Sequence, residues 1–141
     1  MGLQTETGCG ARNASSEPFV LVADDDPLIQ MLMERSLGAA GYRVECVGDG
    51  ERLLERLQGR RPDILVLDVF MPVVDGFEAM RRIRADETLK GLPIVVVSAL
   101  KRAADLEMAR SLKVAAYVLK PFSPADLVRE LRAICSPGRR T

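Results

Sequence analysis

The sequence contains no histidine, and this absence removes two common kinds of functional site. Metal centres built on imidazole and catalytic triads with a histidine base both require that residue. Cysteine is scarce as well, since Cys9, Cys46 and Cys135 are far apart and form none of the paired spacings that hold a metal. An odd number of scattered thiols is more typical of a reducing compartment than of a disulfide framework.

Long apolar runs and a surplus of either charge are also missing. No apolar run approaches the roughly 20 residues that a membrane-spanning helix needs, and the first residues lack the pattern of a secretion signal. Lys and Arg together number 20, as do Asp and Glu, so the chain has no basic surplus for nucleic acid. We therefore expect a cytoplasmic protein that binds neither membranes nor nucleic acid.

The length of 141 residues suits a single domain, because compact domains commonly contain about 100–200 residues. Residues 1–17 are rich in Gly, Ser, Thr and Asn, and residues 136–141 have a similarly loose composition. The sequence thus predicts one domain over residues 18–135, between flexible tails over 1–17 and 136–141.

Apolar runs and helical patterns alternate along this domain. Short continuous apolar runs are typical of strands that are buried on both faces of a parallel sheet. Four such runs and one weaker, alternating run predict five strands, over Phe19–Ala23, Arg43–Val47 (the weaker one, typical of an edge strand), Ile64–Leu67, 94–97 and 117–119. Helices are predicted after the caps Asp26 and Asp49 (ending near Gly41 and Gly59), from about Gly76, over 102–112, and after Ser123-Pro124.

Five successive strand–helix units imply an α/β fold, a doubly wound parallel sheet with helices on both faces. Right-handed crossovers leave few topologies, of which strand order 2-1-3-4-5 is common for a sheet of this size. In that order strands 1 and 3 are neighbours, and the ligand crevice lies beyond the carboxyl ends of the strands. Functional residues are therefore expected at those ends.

Polar residues do follow the strands at the predicted crevice: Asp24, Asp25 and Asp26 after strand 1, Asp68 after strand 3, Ser98 at the end of strand 4, and Lys120 after strand 5. Each alone is an ordinary cap or turn residue, and we assign that structural role to Asp26 and to the turn at Asp75-Gly76. Together they indicate chemistry, because the fold would bring them to one edge of the sheet.

Three neighbouring carboxylates raise each other's pKa, and a divalent cation relieves that repulsion. Mg²⁺ suits a site of carboxylate, water and phosphate oxygens. Lys120 and Ser98 would contact the oxygens of a phosphoryl group, whose transfer depends mainly on positioning and electrostatic stabilisation. A carboxylate can serve as the nucleophile of such a transfer and form an aspartyl phosphate.

Four segments resemble the response-regulator receiver domain of two-component systems, namely VLVADDDP, DILVLDVFMPVVDGFEAMRRIR, PIVVVSAL and AAYVLKPFSPADL. The resemblance covers residues 18–135 and implies the flavodoxin-like (βα)5 fold. It also implies a signalling domain that catalyses only its own phosphorylation and dephosphorylation, and not a metabolic enzyme.

The resemblance implies that Asp68 is the phosphoacceptor of a magnesium-dependent reaction. Asp25 would then bind Mg²⁺ directly, and Asp24 would hold it largely through water. Asp68 itself and the backbone carbonyl of Phe70 would supply further ligands.

The resemblance also implies a switch. Lys120 would pair with Asp68 and then with the phosphoryl group, and the Lys120-Pro121 bond would be cis. Ser98 would move to bond that group, and Tyr117 would turn inward when Ser98 moves. The phosphodonor would be a histidine kinase or a histidine phosphotransfer protein. An output domain, a target or a second copy of the chain would read the face formed by helix 4, strand 5 and helix 5.

Two apolar residues suggest a long-lived signal. Phe70 and Leu100 follow Asp68 and Ser98 by two residues, at positions that tune dephosphorylation in the family that the chain resembles. Because neither side chain can hold an attacking water, our hypothesis is slow self-hydrolysis.

Three other functions share parts of this pattern. A phosphohydrolase of the haloacid dehalogenase type would use Asp24 as its nucleophile, but it needs a further acidic motif after Lys120 and leaves the segment from Asp68 to Gly76 unexplained. A receiver-like docking module that is never phosphorylated would be expected to lack an acidic-pocket residue, and none is missing. A flavin-binding protein is less well supported, because no hydroxyl-rich or glycine-rich loop follows strand 1.

Overall fold

The computed structural model describes residues 17–71, 74–99 and 102–137. These form five strands and five helices in strict alternation: β1 (Phe19–Ala23), α1 (Pro27–Ala39), β2 (Arg43–Val47), α2 (Gly50–Gly59), β3 (Ile64–Leu67), α3 (Gly76–Ala85), β4 (Ile94–Ser98), α4 (Ala103–Ser111), β5 (Ala116–Leu119) and α5 (Pro124–Ile134). The predicted order of elements is confirmed. The tails predicted over 1–17 and 136–141 lie mostly outside the described residues.

The five strands form one parallel sheet in the order β2-β1-β3-β4-β5, as predicted. Ala23 at the end of β1 is paired with Leu67 at the end of β3. The residues that follow these two strands, Asp24 and Asp68, therefore leave the sheet side by side. The reversal of strand order at β1 and β3 opens a crevice at this edge, which is where such sheets bind their ligands.

Polar side chains begin four of the five helices. Asp26, Asp49 and Asp75 accept hydrogen bonds from backbone N–H groups in the first turns of α1, α2 and α3, and Ser123 does the same for α5. Each satisfies a donor that has no partner within its helix. The predicted caps Asp26, Asp49 and Ser123 are therefore confirmed. Asp75, predicted as a turn residue, also caps α3, whereas Arg102 at the start of α4 provides no side-chain cap.

The core consists of two layers, one on each face of the sheet. The layer under α2 and α3 contains buried residues from those helices and from alternate sheet positions, including Leu53, Met80, Ile83, Leu21 and Leu65. The opposite layer, under α1 and α5, includes Met33, Leu37, Leu127, Val20 and Val66. Alternation along β1 thus sends successive side chains to opposite layers, as the pleat of a strand requires.

The two edge strands are less buried than the three central ones. All residues of β1, β3 and β4 are buried, as their apolar runs predict. The expectation of two buried faces is wrong for β5, whose Leu119 is 43% exposed. The reason is topological, because the strand order leaves β5 with a neighbour on one side only.

The thiols differ in state. Cys46 is free, whereas Cys135 is disulfide-bonded, so the expectation of reduced cysteines is wrong at Cys135. Among the described residues, no helix has the length and apolar character needed to cross a membrane.

Candidate functional site

The first component of the site is the acidic turn after β1. Asp24 is 1% exposed, and its backbone N–H donates to the Val47 carbonyl at 3.1 Å. Its Oδ1 accepts the backbone N–H of Asp26 at 2.9 Å, which turns the chain into α1. Asp25 is exposed between them, and Asp26 caps α1, as predicted.

The second component is Asp68, directly after β3. It is 7% exposed, and its backbone N–H donates to the Ala23 carbonyl at 2.9 Å, which fixes it beside Asp24. Its Oδ1 accepts the backbone N–H of Phe70 at 3.0 Å. The carboxylate is therefore oriented by the loop that follows it.

These turns bring three carboxylates together, as the sequence predicts. Asp24, Asp25 and Asp68 each offer an oxygen, and the three oxygens lie within 4.8 Å of one another. All three ligand atoms are carboxylate oxygens, which are the hard ligands that Mg²⁺ prefers. Asp24 and Asp68 are buried and Asp25 is exposed, so the side of Asp25 is open to the water molecules that Mg²⁺ usually keeps. The donor set thus fits a divalent cation.

Lys120, after β5, closes the site from the opposite side. Its Nζ lies 3.0 Å from Asp24 Oδ2 and 3.1 Å from Asp68 Oδ2. Its backbone N–H donates to the Ser98 carbonyl at 2.9 Å, and the Lys120-Pro121 peptide bond is cis, as expected.

The pKa values of both Asp68 and Lys120 are raised, for different reasons. Burial raises the pKa of Asp68, and the Phe70 N–H and the Lys120 ammonium offset only part of that shift. Burial alone would lower the pKa of Lys120, but hydrogen bonds to Asp24 and Asp68 and their negative charges outweigh it, so the net shift is upward. Asp68 thus holds its proton more readily than an ordinary carboxylate, and Lys120 remains charged.

Ser98 and Tyr117 form a pair beside the carboxylates. Ser98 ends β4 and is fully buried, and its side chain is hydrogen-bonded with that of Tyr117 on β5. Burial raises the pKa of Tyr117, the bond to Ser98 lowers it, and the charges of Asp105 and Asp68 raise it further. The two residues named as a switch are therefore in contact, and Tyr117 is half-buried.

The apolar residues expected to control hydrolysis are only partly described. Phe70 lies in the loop after β3 and is 59% exposed, and its backbone N–H donates to Asp68 Oδ1. Leu100 lies outside the described residues. The role of the Phe70 carbonyl as a metal ligand stays a prediction.

Sequence reasoning missed Gln30, which supports the site from α1. Its Nε2 donates to the backbone carbonyl of Asp24 at 2.6 Å and lies 3.5 Å from that of Val47. The side chain thus ties α1 to the ends of β1 and β2. The only signal was a single polar residue within the apolar run from Leu28 to Met33.

Comparison with known proteins agrees with this geometry. Residues 20–132 match the family model described as "Response regulator receiver domain". The chain is 38% identical over 125 residues to the transcriptional regulatory protein AfsQ1 of Streptomyces coelicolor, which covers 87% of this chain and 53% of that protein. It is 34% identical to the DNA-binding response regulator MtrA of Mycolicibacterium smegmatis, over 81% of this chain and 49% of that protein. The chain therefore spans about half the length of the curated relatives that it matches.

Solved structures give the same likeness. The chemotaxis response regulator CheY4 of Vibrio cholerae superposes with a TM-score of 0.79 at 29% identity, over 84% of this chain and 99% of that one. The receiver domain of the sensor histidine kinase PA1611 of Pseudomonas aeruginosa superposes with a TM-score of 0.77 at 33% identity, over 84% of this chain and 98% of that one. That neighbour has a magnesium ion coordinated in its active-site cleft.

Proposed function

Because the chain belongs to the response regulator receiver domain family, we propose that it is a cytoplasmic phosphoacceptor switch of a two-component system. Asp68 receives the phosphoryl group from a phosphohistidine of a histidine kinase or a histidine phosphotransfer protein. The observation that carries the proposal is the meeting of Asp68 with two further carboxylates and with the Lys120 ammonium in one crevice.

The transfer forms a P–O bond at an Asp68 carboxylate oxygen and breaks the P–N bond to the donor imidazole. Asp24, Asp25, Asp68 and the Phe70 carbonyl would hold Mg²⁺, which when bound supplies positive charge to the transferring oxygens. Lys120, already 3.1 Å from Asp68 Oδ2, neutralises charge on the same group. This arrangement provides positioning and electrostatic stabilisation, which are the main requirements of phosphoryl transfer.

The switch step follows from the bond between Ser98 and Tyr117. A phosphoryl dianion on Asp68 attracts the Ser98 hydroxyl, so the existing bond to Tyr117 must be given up or rearranged. The new charge thereby biases an equilibrium between two arrangements of β5 and its neighbours.

The surface that reports this change is the face formed by α4, β5 and α5. Two of its elements, α4 and β5, carry exposed large apolar side chains, Leu106 and Met108 on α4 and Leu119 on β5, and a partner on this face would cover such side chains. The reader of the face is an output domain, a separate target or a second copy of the chain.

The experiment is intact-mass spectrometry after incubation with a small phosphodonor, with Mg²⁺ or with a chelator, followed by peptide mapping. We expect a single phosphoryl adduct on Asp68 that depends on Mg²⁺ and is absent from Asp68→Asn. Asp75→Asn is the matched control, because asparagine caps a helix as well as aspartate does and α3 is retained. An adduct on Asp24, or none in the wild type, would overturn the proposal.

The phosphohydrolase alternative requires Asp24 to attack a substrate. Asp24 is almost fully buried, and both of its oxygens accept hydrogen bonds, Oδ1 from the Asp26 N–H and Oδ2 from Lys120. Asp68 is hydrogen-bonded in the same way, by the Phe70 N–H and by Lys120, so peptide mapping of the adduct to Asp24 or to Asp68 is what separates the two nucleophiles. The docking-module alternative predicts that no phosphoryl adduct forms. An adduct on Asp68 in the same experiment would therefore exclude it.

A further inference from the structure

Arg84 is a half-buried cation outside the candidate site, in the last turn of α3. Its guanidinium donates four hydrogen bonds to backbone carbonyls, from Nε to Leu112 at 2.8 Å, from Nη1 to Lys90 at 2.9 Å and Leu92 at 2.8 Å, and from Nη2 to Lys113 at 3.2 Å. Among the described residues, none of its hydrogen bonds goes to a carboxylate. The side chain is therefore specialised for binding main chain.

The four acceptors belong to two segments that are distant in sequence. Leu112 and Lys113 end α4 and begin the turn to β5, whereas Lys90 and Leu92 precede β4. Carbonyls at the end of a helix lack partners within it and carry the negative end of the helix dipole. Arg84 satisfies two groups there with a full positive charge, and it ties them to α3 and to the approach to β4.

The rest of this helix end is held by main chain. Lys113 adopts a left-handed conformation with φ of 60°, and the Val114 N–H donates back to Ala109 at 3.3 Å. The Ala115 N–H then donates to the Ile94 carbonyl at 2.7 Å, at the start of β4. The C-terminal end of α4 is thus fixed on two sides.

Among residues 17–71, 74–99 and 102–137, no side chain of another element is hydrogen-bonded or ion-paired to the N-terminal end of α4. Arg102 precedes the helix without a side-chain cap, and its ion pair with Asp105 at 2.9 Å lies within the first turn, so it does not join α4 to another element. Along α4, which is described in full, Ala109 is the one buried apolar residue, so little hydrophobic free energy holds the helix down.

The N-terminal end of α4 is also the end nearer the switch, because α4 follows Ser98 at the end of β4. Asp105 in the first turn is buried, and its charge acts on the hydroxyl of Tyr117, the partner of Ser98. A rearrangement of Tyr117 therefore acts on the first turn of α4.

We propose that Arg84 is a positioning residue that makes the C-terminal end of α4 a pivot, about which the N-terminal end of the helix moves when Asp68 is phosphorylated. The proposal rests on the proposed function, because it concerns how that signal reaches the face formed by α4, β5 and α5. It adds a direction, since movement is concentrated at 102–106 and is small at 111–115.

Hydrogen–deuterium exchange of the full chain tests this, with and without Mg²⁺ and beryllium fluoride, a tetrahedral phosphoryl mimic. In the wild type we expect exchange in 102–106 to change with the mimic and exchange in 111–115 to stay the same. In Arg84→Gln, exchange in 111–115 should become faster on the order of tenfold, which corresponds to the loss of about one hydrogen bond to a charged group. It should also become dependent on the mimic.

Arg82→Gln is the matched control, because Arg82 is on the same helix, is largely exposed and pairs only with Glu78 among the described residues. It should behave as the wild type. Arg84→Lys keeps the charge but not the planar fork of donors, so its exchange should lie between wild type and Arg84→Gln, and it serves if the glutamine variant does not fold.

The outcomes separate the two proposals. No adduct of the mimic at Asp68, seen by native mass spectrometry, overturns the proposed function and the pivot with it. An adduct with equal changes at 102–106 and 111–115 in the wild type overturns the pivot alone. So does an exchange rate at 111–115 that neither Arg84 variant alters.

Discussion

Replacement of Lys120 by methionine tests the electrostatic account of the site. The ammonium lies 3.0 Å from Asp24 Oδ2 and 3.1 Å from Asp68 Oδ2, and the two carboxylate side chains are only 1% and 8% exposed. Methionine keeps an unbranched apolar stem of similar size, so packing changes little while the charge is lost. Two buried carboxylates are then left without their counter-ion.

The expected loss of stability can be estimated from this geometry. At an effective dielectric constant of about 20, each pair at this separation attracts by about 5 kcal/mol before desolvation is counted. Breaking a buried pair by removing one partner costs about 3–5 kcal/mol net. Because burial already raises the pKa of Asp68, that residue can take up a proton and relieve part of the repulsion. We therefore expect about 3 kcal/mol, or a melting temperature lower by roughly 10 °C.

Magnesium should reverse part of this loss. In the variant the cation replaces the missing positive charge and no longer competes with an ammonium, so it binds more tightly than in the wild type. Each tenfold gain in affinity adds about 1.4 kcal/mol of stabilisation at a saturating concentration. Mg²⁺ should thus raise the free energy of unfolding of Lys120→Met more than that of the wild type.

The assay is chemical denaturation followed by circular dichroism, in a chelator and in saturating Mg²⁺. Lys90→Met is the control, because Lys90 is exposed and pairs only with exposed Glu87 among the described residues, a contact worth at most about 1 kcal/mol. Equal magnesium effects on wild type and Lys120→Met, or an unchanged stability of Lys120→Met in the chelator, would refute the reasoning.

Three further predictions concern other parts of the molecule. Phe70→Asn places a water-binding amide at an exposed position beside Asp68, so loss of the phosphoryl group should become faster on the order of tenfold, equivalent to about 1.4 kcal/mol of activation free energy. An unchanged decay of the phosphorylated mass would contradict the hypothesis that the apolar Phe70 slows hydrolysis. Gly76→Ala should lower the free energy of unfolding, measured by denaturant titration, by about 1–3 kcal/mol, because its Cβ would lie 2.4 Å from Val69 Cα. Gly38→Ala is the control, since nothing lies within 4 Å of its Cβ, and it should be neutral or stabilising. Equal effects of the two substitutions would contradict the steric argument. Burial raises the pKa of Tyr42 to about 12, so the folded state holds this proton more tightly than the unfolded chain does. The stability that Tyr42 contributes is complete below about pH 10 and falls by about 1.4 kcal/mol per pH unit as the pH rises from about 10 towards about 12. Over that pH range the difference in unfolding free energy between wild type and Tyr42→Phe should shrink. A constant difference would exclude a shifted titration.

The fold was predictable because its signals are local. Apolar runs mark the central strands, and Asp26, Asp49, Asp75 and Ser123 mark helix starts by a hydrogen bond made within three residues. α4 has no such residue, so the prediction of 102–112 came from pattern alone, although the observed helix differs by only one residue at each end. The burial of β5 was mispredicted, since position at a sheet edge depends on the whole topology.

The site was predictable where residue type carries the chemistry. Carboxylates, a hydroxyl and an ammonium at strand ends indicate an oxygen-rich cation site whatever the details of the loops. Gln30 and Arg84 escaped prediction because both bind backbone carbonyls, from residues 6 to 29 positions away in the chain. Every residue offers a carbonyl, so no sequence motif indicates which one a polar side chain will bind.

Three consecutive aspartates show how the backbone separates residues of identical chemistry. Asp24 points into the crevice, where both of its oxygens already accept hydrogen bonds, from the Asp26 N–H and from Lys120. Asp25 is exposed at the rim, and Asp26 is occupied by the first turn of α1. A cation shared with Asp68 would therefore find a more accessible oxygen on Asp25 than on Asp24. Direct ligation by Asp25 and a water-mediated role for Asp24 stay predictions, which this difference in exposure supports.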